Sequence, residues 1–367
     1  MRTRLTIYSH RMQMKYVVQR FSEYKIDIDL ETDADGFNMV FENPDGVYTG
    51  YFNKFDIVDL TINGVGVLRG WIDNVRYRSN ESQNLIQVVG RDIASIFVDN
   101  DAIPTTRYNV RPSQYIADKC NEYGIVNYVI DQSIPVTSKL IIGTGESEIS
   151  IMNNLLIGDG VSRRIWTIYD TLYAGKWAMD AKPSYTFVRG TPRNTSGIPI
   201  QSLDFMDDGT EMHSEVMIYG SIDDGNEKIV GSGKNSYLIG RGIKKRKVMR
   251  SYNNDSSSKY ASNALREVRD SCQFGMILEI TTKVPDDMVV MPNKTAHVID
   301  TNTQINSIFF IKSVTYTKNI GSGSIMSVSM IPGEESFDVI WNNQGNKAKG
   351  NIVGITRSLS ELLGSRK

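Results

Sequence analysis

The chain has 367 residues, 40% of them hydrophobic and 23% charged, with a formal net charge of −1. At roughly 150 residues per domain this length predicts two or three domains, and the composition is that of an ordinary globular protein. Near-neutrality removes any global pull toward nucleic acid or anionic membrane. No apolar stretch approaches the ~18 residues that span a bilayer, and no apolar h-region follows the basic N-terminus, so a soluble chain made in the cytoplasm is expected. Cys120 and Cys272 are too few for a disulfide framework and are expected as reduced core thiols.

Residues 3–90 are strand-rich, with two-residue alternation at Leu5/Ile7, Tyr16/Val18 and Ile26/Ile28/Leu30 and turn clusters between them. Phe55–Ile62 and Val65–Val75 flank Asn63-Gly64, a pair that tolerates the positive φ of a tight hairpin. This hairpin is apolar on both faces, Val65, Val67 and Trp71 on one and Leu68 and Ile72 on the other. Such a strand is either central in a sandwich or covered by a neighbouring subunit. A third strand ends in Gly90-Arg91-Asp92 and passes into a short helix.

Residues 91–160 change character. Pro112 suits the first turn of a helix that Gly124 stops. Another helix is expected from about Ser147 to Leu156, with Glu146 and Glu148 at its positive end, and Arg164–Asp180 reads as a hairpin. Strands resume between Ser202 and Gly220, residues 225–258 suggest a long exposed loop, and a helix spans about Ser257 to Cys272 with Tyr260, Ala264, Leu265 and Val268 on one face. Met276–Val284, His297–Ile299, Ser307–Thr317 and Ser324–Ile331 form a second strand-rich unit. A polar tail and a short amphipathic helix near Ile352–Leu363 follow.

Chemical motifs are sparse. His10, His213 and His297 lie apart, without partners at ligand spacing. The pairs Asp207-Asp208, Asp223-Asp224 and Asp286-Asp287 sit beside Gly or Pro, where Asp is an ordinary turn residue. Val230-Gly231-Ser232-Gly233-Lys234-Asn235 has Lys228 and Asn235 where a phosphate loop needs Gly and Ser/Thr, so a flexible hairpin tip is expected. Gly143–Gly145 lacks the third glycine of a dinucleotide site. The basic run Arg241–Arg250 has no interleaved aromatic platform, which favours a solvated loop or a protein contact over nucleic acid.

Several segments taken together resemble the baseplate hub proteins of contractile-tailed bacteriophages, the late control D or tail-hub family. They are Gly66–Val75, Val88–Ile93 with Val98-Asp99, Pro112–Ile125, Ser214–Gly220 as the strand opening a second barrel, Phe309–Tyr316 and Met326–Pro332. The resemblance runs over roughly residues 1–335; Met291-Pro292-Asn293 departs from the family's Pro-Gly turn, and the stretch after Pro332 has no match. It implies an α+β, mostly β chain in which two tail-tube-like β-barrels flank a small α/β insertion. The boundaries read as a first barrel over 1–100, the insertion over 101–205, and a second barrel over 206–335 with an inserted loop and helix at about 226–273. A tail follows over 336–367.

It also implies a homotrimeric, pseudo-sixfold ring, a symmetry adaptor between the tail tube protein and the central spike protein. Other baseplate proteins would border it, and DNA would pass through its lumen without specific binding. Such a ring would bury on the order of 2,000 Å² or more per contact. Trp71, Val67 and Arg69 of the hairpin and Lys244, Lys245 and Arg246 of the basic run are the expected contact residues. No catalytic, cofactor or metal residues and no membrane insertion are expected, and the place is the virion tail baseplate, assembled in the host cytoplasm. The rival readings are a tail-associated protein of a flexible-tailed phage, a hub or spike of a related injection system, and a tail-borne wall hydrolase. The last would need a carboxylate pair such as Asp207 or Asp286 could offer.

Overall fold

The N-terminal alternation folds into seven strands: β1 (Thr3–Ser9), β2 (Met14–Val18), β3 (Glu23–Asp29), β4 (Gly36–Glu42), β5 (Ile57–Ile62), β6 (Val65–Ser79) and β7 (Asn84–Asp92). All are antiparallel to their neighbours, in the order β2-β1-β5-β6-β7-β4-β3. The computed structural model describes residues 2–80, 83–156, 162–190, 196–221, 227–251, 257–319 and 323–343. The β5–β6 hairpin closes as its sequence predicts. Asn63 (φ 49°) and Gly64 (φ 84°) form a two-residue loop between paired Ile62 and Val65.

The hairpin's apolar faces arise differently from expectation. Leu60 pairs with Leu68 and Thr61 with Gly66, so Val67 is an extra, bulged residue. The bulge lets consecutive Val67 and Leu68 both enter the core, each 1% exposed. Val67 is therefore an interior side chain, which corrects its expected place at a subunit contact.

After β7 the chain leaves the sheet. It forms α1 (Ser95–Asp99), β8 (Thr105–Val110), α2 (Pro112–Glu122), β9 (Tyr128–Ile130), β10 (Thr137–Ile142), α3 (Glu148–Leu155), β11 (Arg164–Ile168) and β12 (Thr171–Gly175). Pro112 opens α2 and Gly124, at φ 74°, follows its end. Ser147 caps α3 by accepting the Ser150 N–H. These elements have their own core, which includes Phe97, Ile116, Cys120, Leu140, Met152 and Leu172. Glu148 does more than complement a helix dipole. At 1% exposed it takes Lys119 Nζ at 2.6 Å and the Tyr115 hydroxyl at 3.1 Å, so a buried charge is paired and hydrogen-bonded.

Strand pairing resumes at β13 (Tyr185–Arg189), β14 (Ile198–Pro199) and β15 (Ser202–Asp207). β13 pairs in parallel with β20 (Lys294–Asp300), and β15 antiparallel with β19 (Met276–Lys283). The second unit thus begins by Tyr185, upstream of the expected boundary at 206. Long-range pairing, invisible in local alternation, decides this. β21 (Ile305–Asn319) pairs with β20 and with β22 (Gly323–Pro332). Its distal half, Ser313–Lys318, pairs with β3. Fourteen strands thereby join in one continuous sheet, and one apolar core runs beneath both units. Overall 50% of the structure is strand and 17% helix, a mostly β chain.

Between β15 and β19 lie β16 (Glu215–Ser221), β17 (Glu227–Lys234), α4 (Ser236–Gly240), β18 (Arg246–Ser251) and α5 (Ser257–Gln273). β16 was expected to open the second barrel, but it is the central strand of a separate sheet, β17-β16-β18. The expected loop at 225–258 likewise holds β17, α4 and β18. Its glycines are packing residues. A Cβ on Gly231 would lie 2.5 Å from the Tyr260 backbone, and one on Gly233 2.5 Å from Ala264 and Leu265, so α5 rests directly on β17. Tyr260, Ala264 and Val268 are buried there, whereas Leu265 is 47% exposed and off the expected face. α6 (Glu334–Asn343) follows β22 and brings Phe337 and Trp341 into this core, a contact the polar composition after Pro332 concealed. The expected helix at Ile352–Leu363 lies outside the described residues.

Candidate assembly interface

Three of the segments that carry the resemblance, Gly66–Val75, Val88–Ile93 and Val98-Asp99, meet at one joint. A Cβ on Gly70 would lie 1.9 Å from the Arg91 carbonyl oxygen, and one on Gly90 2.0 Å from that of Trp71. Only glycine permits strands β6 and β7 to approach so closely. Beside them the Arg91 guanidinium spans two carboxylates, Asp73 at 2.7 Å and Asp99 at 2.7 Å. These bonds raise the Arg91 pKa and lower that of Asp99. Asp92, 2% exposed, accepts the Ala94 N–H at 3.0 Å and the Thr167 hydroxyl, tying β7 to α1 and β11. Burial pushes its carboxyl up to about 6, and burial with the nearby Asp92 charge pushes Asp35 up as well. The joint fastens the first sheet to the insertion.

Above the joint lies a crevice of about 220 Å³ lined by Ile57, Arg69, Trp71, Tyr123, Val126 and Asp170. Trp71 is half-buried and packs on the insertion's core, and the Arg69 side chain, 41% exposed, stands 3.7 Å from Asp59. The expected contact residues Trp71 and Arg69 therefore come together at a surface, and Val67 does not. Of the hairpin's apolar side chains, Leu68 and Ile72 lie in the main core, Trp71 packs on the chain's own insertion, and Val65 stays 48% exposed. Phe55, expected to open the hairpin's first arm, precedes β5 and is 74% exposed at φ 69°, and Val126, which the sequence did not single out, is 82% exposed. Val126 belongs to no periodic pattern.

Lys244, Lys245 and Arg246 lie on the separate β16–β18 sheet and its approach. Lys244 is exposed. Lys245 Nζ donates to the carbonyls of Gly209 and Thr210, and Arg246 pairs with Glu215 at 3.0 Å. Lys247 pairs with Glu267 at 2.6 Å. Much of the basic run is thus matched by carboxylates and carbonyls within its own unit.

The other sequence candidates have local roles. Asp208 accepts the Thr210 N–H in a turn, and Asp286 and Asp287 are exposed in the turn after β19; Asp223-Asp224 lies outside the described residues. His10 donates its backbone N–H to Asp56, His213 its own to Ser271, and the His297 ring meets Asn306 at 2.7 Å. Among the described residues no cluster of three or more His, Cys, Asp or Glu side chains could hold a metal. Cys120 and Cys272 are free and buried in different cores, where burial pushes their thiols up to about 12 and about 11. No helix among the described residues is long and apolar enough to cross a membrane. Asn293 does adopt positive φ (58°) in place of a turn glycine.

Residues 16–92, which include the hairpin and the Gly-Arg-Asp end of β7, match the family described as Mu phage baseplate assembly protein GpP-like, N-terminal. A search of curated proteins finds no match. Among solved structures, the chain is similar to a tail protein from Neisseria meningitidis at TM-score 0.73 and 19% identity, covering 90% of this chain and 96% of that one. It is similar to the 43 kDa tail protein of prophage MuSo2 from Shewanella oneidensis at TM-score 0.70 and 15% identity, covering 91% and 99%. A third likeness, at TM-score 0.54 and 11% identity, covers 85% of this chain and 73% of an Escherichia coli type VI secretion component. That protein is described as structurally similar to the T4 tail proteins gp27 and gp5. The chain has the fold of phage tail proteins.

Proposed function

We propose that this chain is a structural protein of a phage-type baseplate, a homotrimeric hub joining a sixfold tail tube to a threefold central spike around a lumen for DNA. The observation that carries the reading is a coincidence of two likenesses. The tail-protein fold extends over 90% of the chain, and the baseplate family match falls on the segment that builds the joint between first sheet and insertion. Two strand-rich units joined through β3 and β21 support a two-barrel subunit. Three such subunits would present six tube-like positions. In the second unit Ile200 N–H reaches Val188 and Gln201 N–H reaches Thr281, so one segment bridges both ends of that strand path.

On this reading the crevice around Trp71 and Arg69 meets a neighbouring subunit, and load passes through the Arg91 joint into the insertion. The role is non-enzymatic, the partners are further copies of the chain, tube, spike and other baseplate proteins, and the place is the virion tail. The likeness to a type VI secretion component favours a related injection particle as the second reading. Native mass spectrometry of the purified chain, alone and with tube and spike proteins, tests the proposal. A trimer that recruits both is expected; a monomer that recruits neither would falsify it.

A further inference from the structure

β2 ends the first sheet. It pairs with β1 from Leu5–Val18 to Ser9–Met14 and, among the described strands, with nothing on its other side. Along that side runs a groove of about 810 Å³. This lies within the ~300–1,000 Å³ typical of ligand-binding clefts. Tyr16, Phe21, Phe41 and Phe52 line it, packed edge to face: Tyr16 on Phe52 at 5.4 Å, Phe21 on Phe41 at 6.4 Å, Phe41 on Phe52 at 5.8 Å. The last three are core side chains, 6%, 3% and 3% exposed, so the groove opens onto the core. Two cations flank it, exposed Arg20 and half-buried Lys318. Lys318 donates to the Phe21 carbonyl at 2.7 Å, and neither cation pairs with a carboxylate among the described residues. Glu42 is the one acid among the described lining residues.

We propose that this groove receives an extended strand of another protein, apolar at alternate positions and acidic at its flanks, added to the free edge of β2. The edge offers a row of backbone donors and acceptors about 17 Å long, given ~3.3 Å per strand residue. Strand addition is the binding mode such an edge supports. Alternate side chains of the incoming strand would fall on the aromatic floor, and its acids would meet Arg20 and Lys318. Charge argues against the chain's own C-terminus as occupant. Residues 344–367 carry five basic side chains (Lys347, Lys349, Arg357, Arg366, Lys367) and one acid, Glu361. The proposal concerns this edge in whichever particle holds it and does not depend on the hub reading.

The test titrates the full chain with a blocked peptide alternating valine and glutamate, and with its valine–lysine counterpart, by calorimetry at low and high salt. The glutamate peptide is expected to bind about tenfold tighter, with the preference shrinking as salt screens it. Arg20→Glu combined with Lys318→Glu should invert the preference. Arg20→Glu alone, which keeps the Lys318–Phe21 contact, should only narrow it. Equal binding of the two peptides, binding of neither, or a preference unmoved by the charge swap overturns the proposal. So does self-association of the wild-type chain that Val17→Glu abolishes and the glutamate peptide displaces, because the occupant would then be a second copy.

Discussion

The joint at Gly66–Asp99 and the unit at Glu215–Gln273 both read in sequence as glycine punctuated by charge, yet they differ in what the glycines report. At the joint, Gly70 and Gly90 sit within strands whose alternation is plain, and close approach of β6 to β7 explains them. In the Glu215–Gln273 unit Gly231 and Gly233 stand among Ser, Asn and Lys and read as a flexible tip. They are instead the surface on which α5 lies. A glycine marks a missing side chain; whether it serves freedom or contact depends on a partner that local sequence does not show.

Breaking the joint is expected to have the largest effect. Gly70→Val places a branched side chain against the Arg91 carbonyl, which belongs to backbone and cannot swing aside. A loss at or beyond the upper end of the about 1–3 kcal/mol typical of overpacking is expected, read as lost soluble yield or a lowered urea midpoint. Gly233→Val sharpens the contrast. A hairpin tip would tolerate it within about 0.5 kcal/mol. Contact with α5 instead predicts a loss of about 1–3 kcal/mol, with selective exposure of α5 amides to hydrogen exchange.

The buried carboxylates give the joint a pH dependence of predictable sign. Burial raises Asp92 to about 6, against an ordinary aspartate value near 4. The folded state therefore holds this proton more tightly than the unfolded state. Its contribution to stability falls as pH rises from about 4 to about 6 and stays reduced above that window. Asp35 shifts in the same direction. Asp92→Asn keeps an acceptor for Ala94 N–H and removes the titration. Urea midpoints measured at pH 5 and 7.5 should differ less in the variant than in the wild type, and an unchanged difference would locate the pH dependence elsewhere.

Legibility followed the range of the contacts. The Asn63-Gly64 hairpin, the Pro112 and Gly124 ends of α2 and the start of α3 near Ser147 were readable because each is set within a few residues. The bulge at Val67 was not, because one extra residue leaves apolar composition unchanged while moving a side chain from surface to core. The start of the second unit was not either. β13 finds β20 over a hundred residues away, a pairing that no window of sequence contains. Of the expected contact residues, Trp71 and Arg69 share a surface crevice, and the basic run sits on another sheet.

That basic run supplies the smallest expected effect and the last discriminating test. Arg246 stands 60% exposed beside Glu215, with Lys234 also near that carboxylate at 3.7 Å. An exposed pair of this kind contributes about 0–1 kcal/mol, and Lys234 remains to satisfy Glu215 when Arg246 is removed. Arg246→Ala with Lys244→Ala should therefore shift the urea midpoint by no more than about 0.5 kcal/mol. Retention of the variant on immobilised duplex DNA should also match that of the wild type at every salt concentration. A nucleic-acid surface predicts the opposite. Each lost phosphate contact would flatten the dependence of binding on salt by nearly one unit of slope. If that flattening appears, the charges here act outward, and the contrast with the inward-turned Arg91 becomes one of function as well as packing.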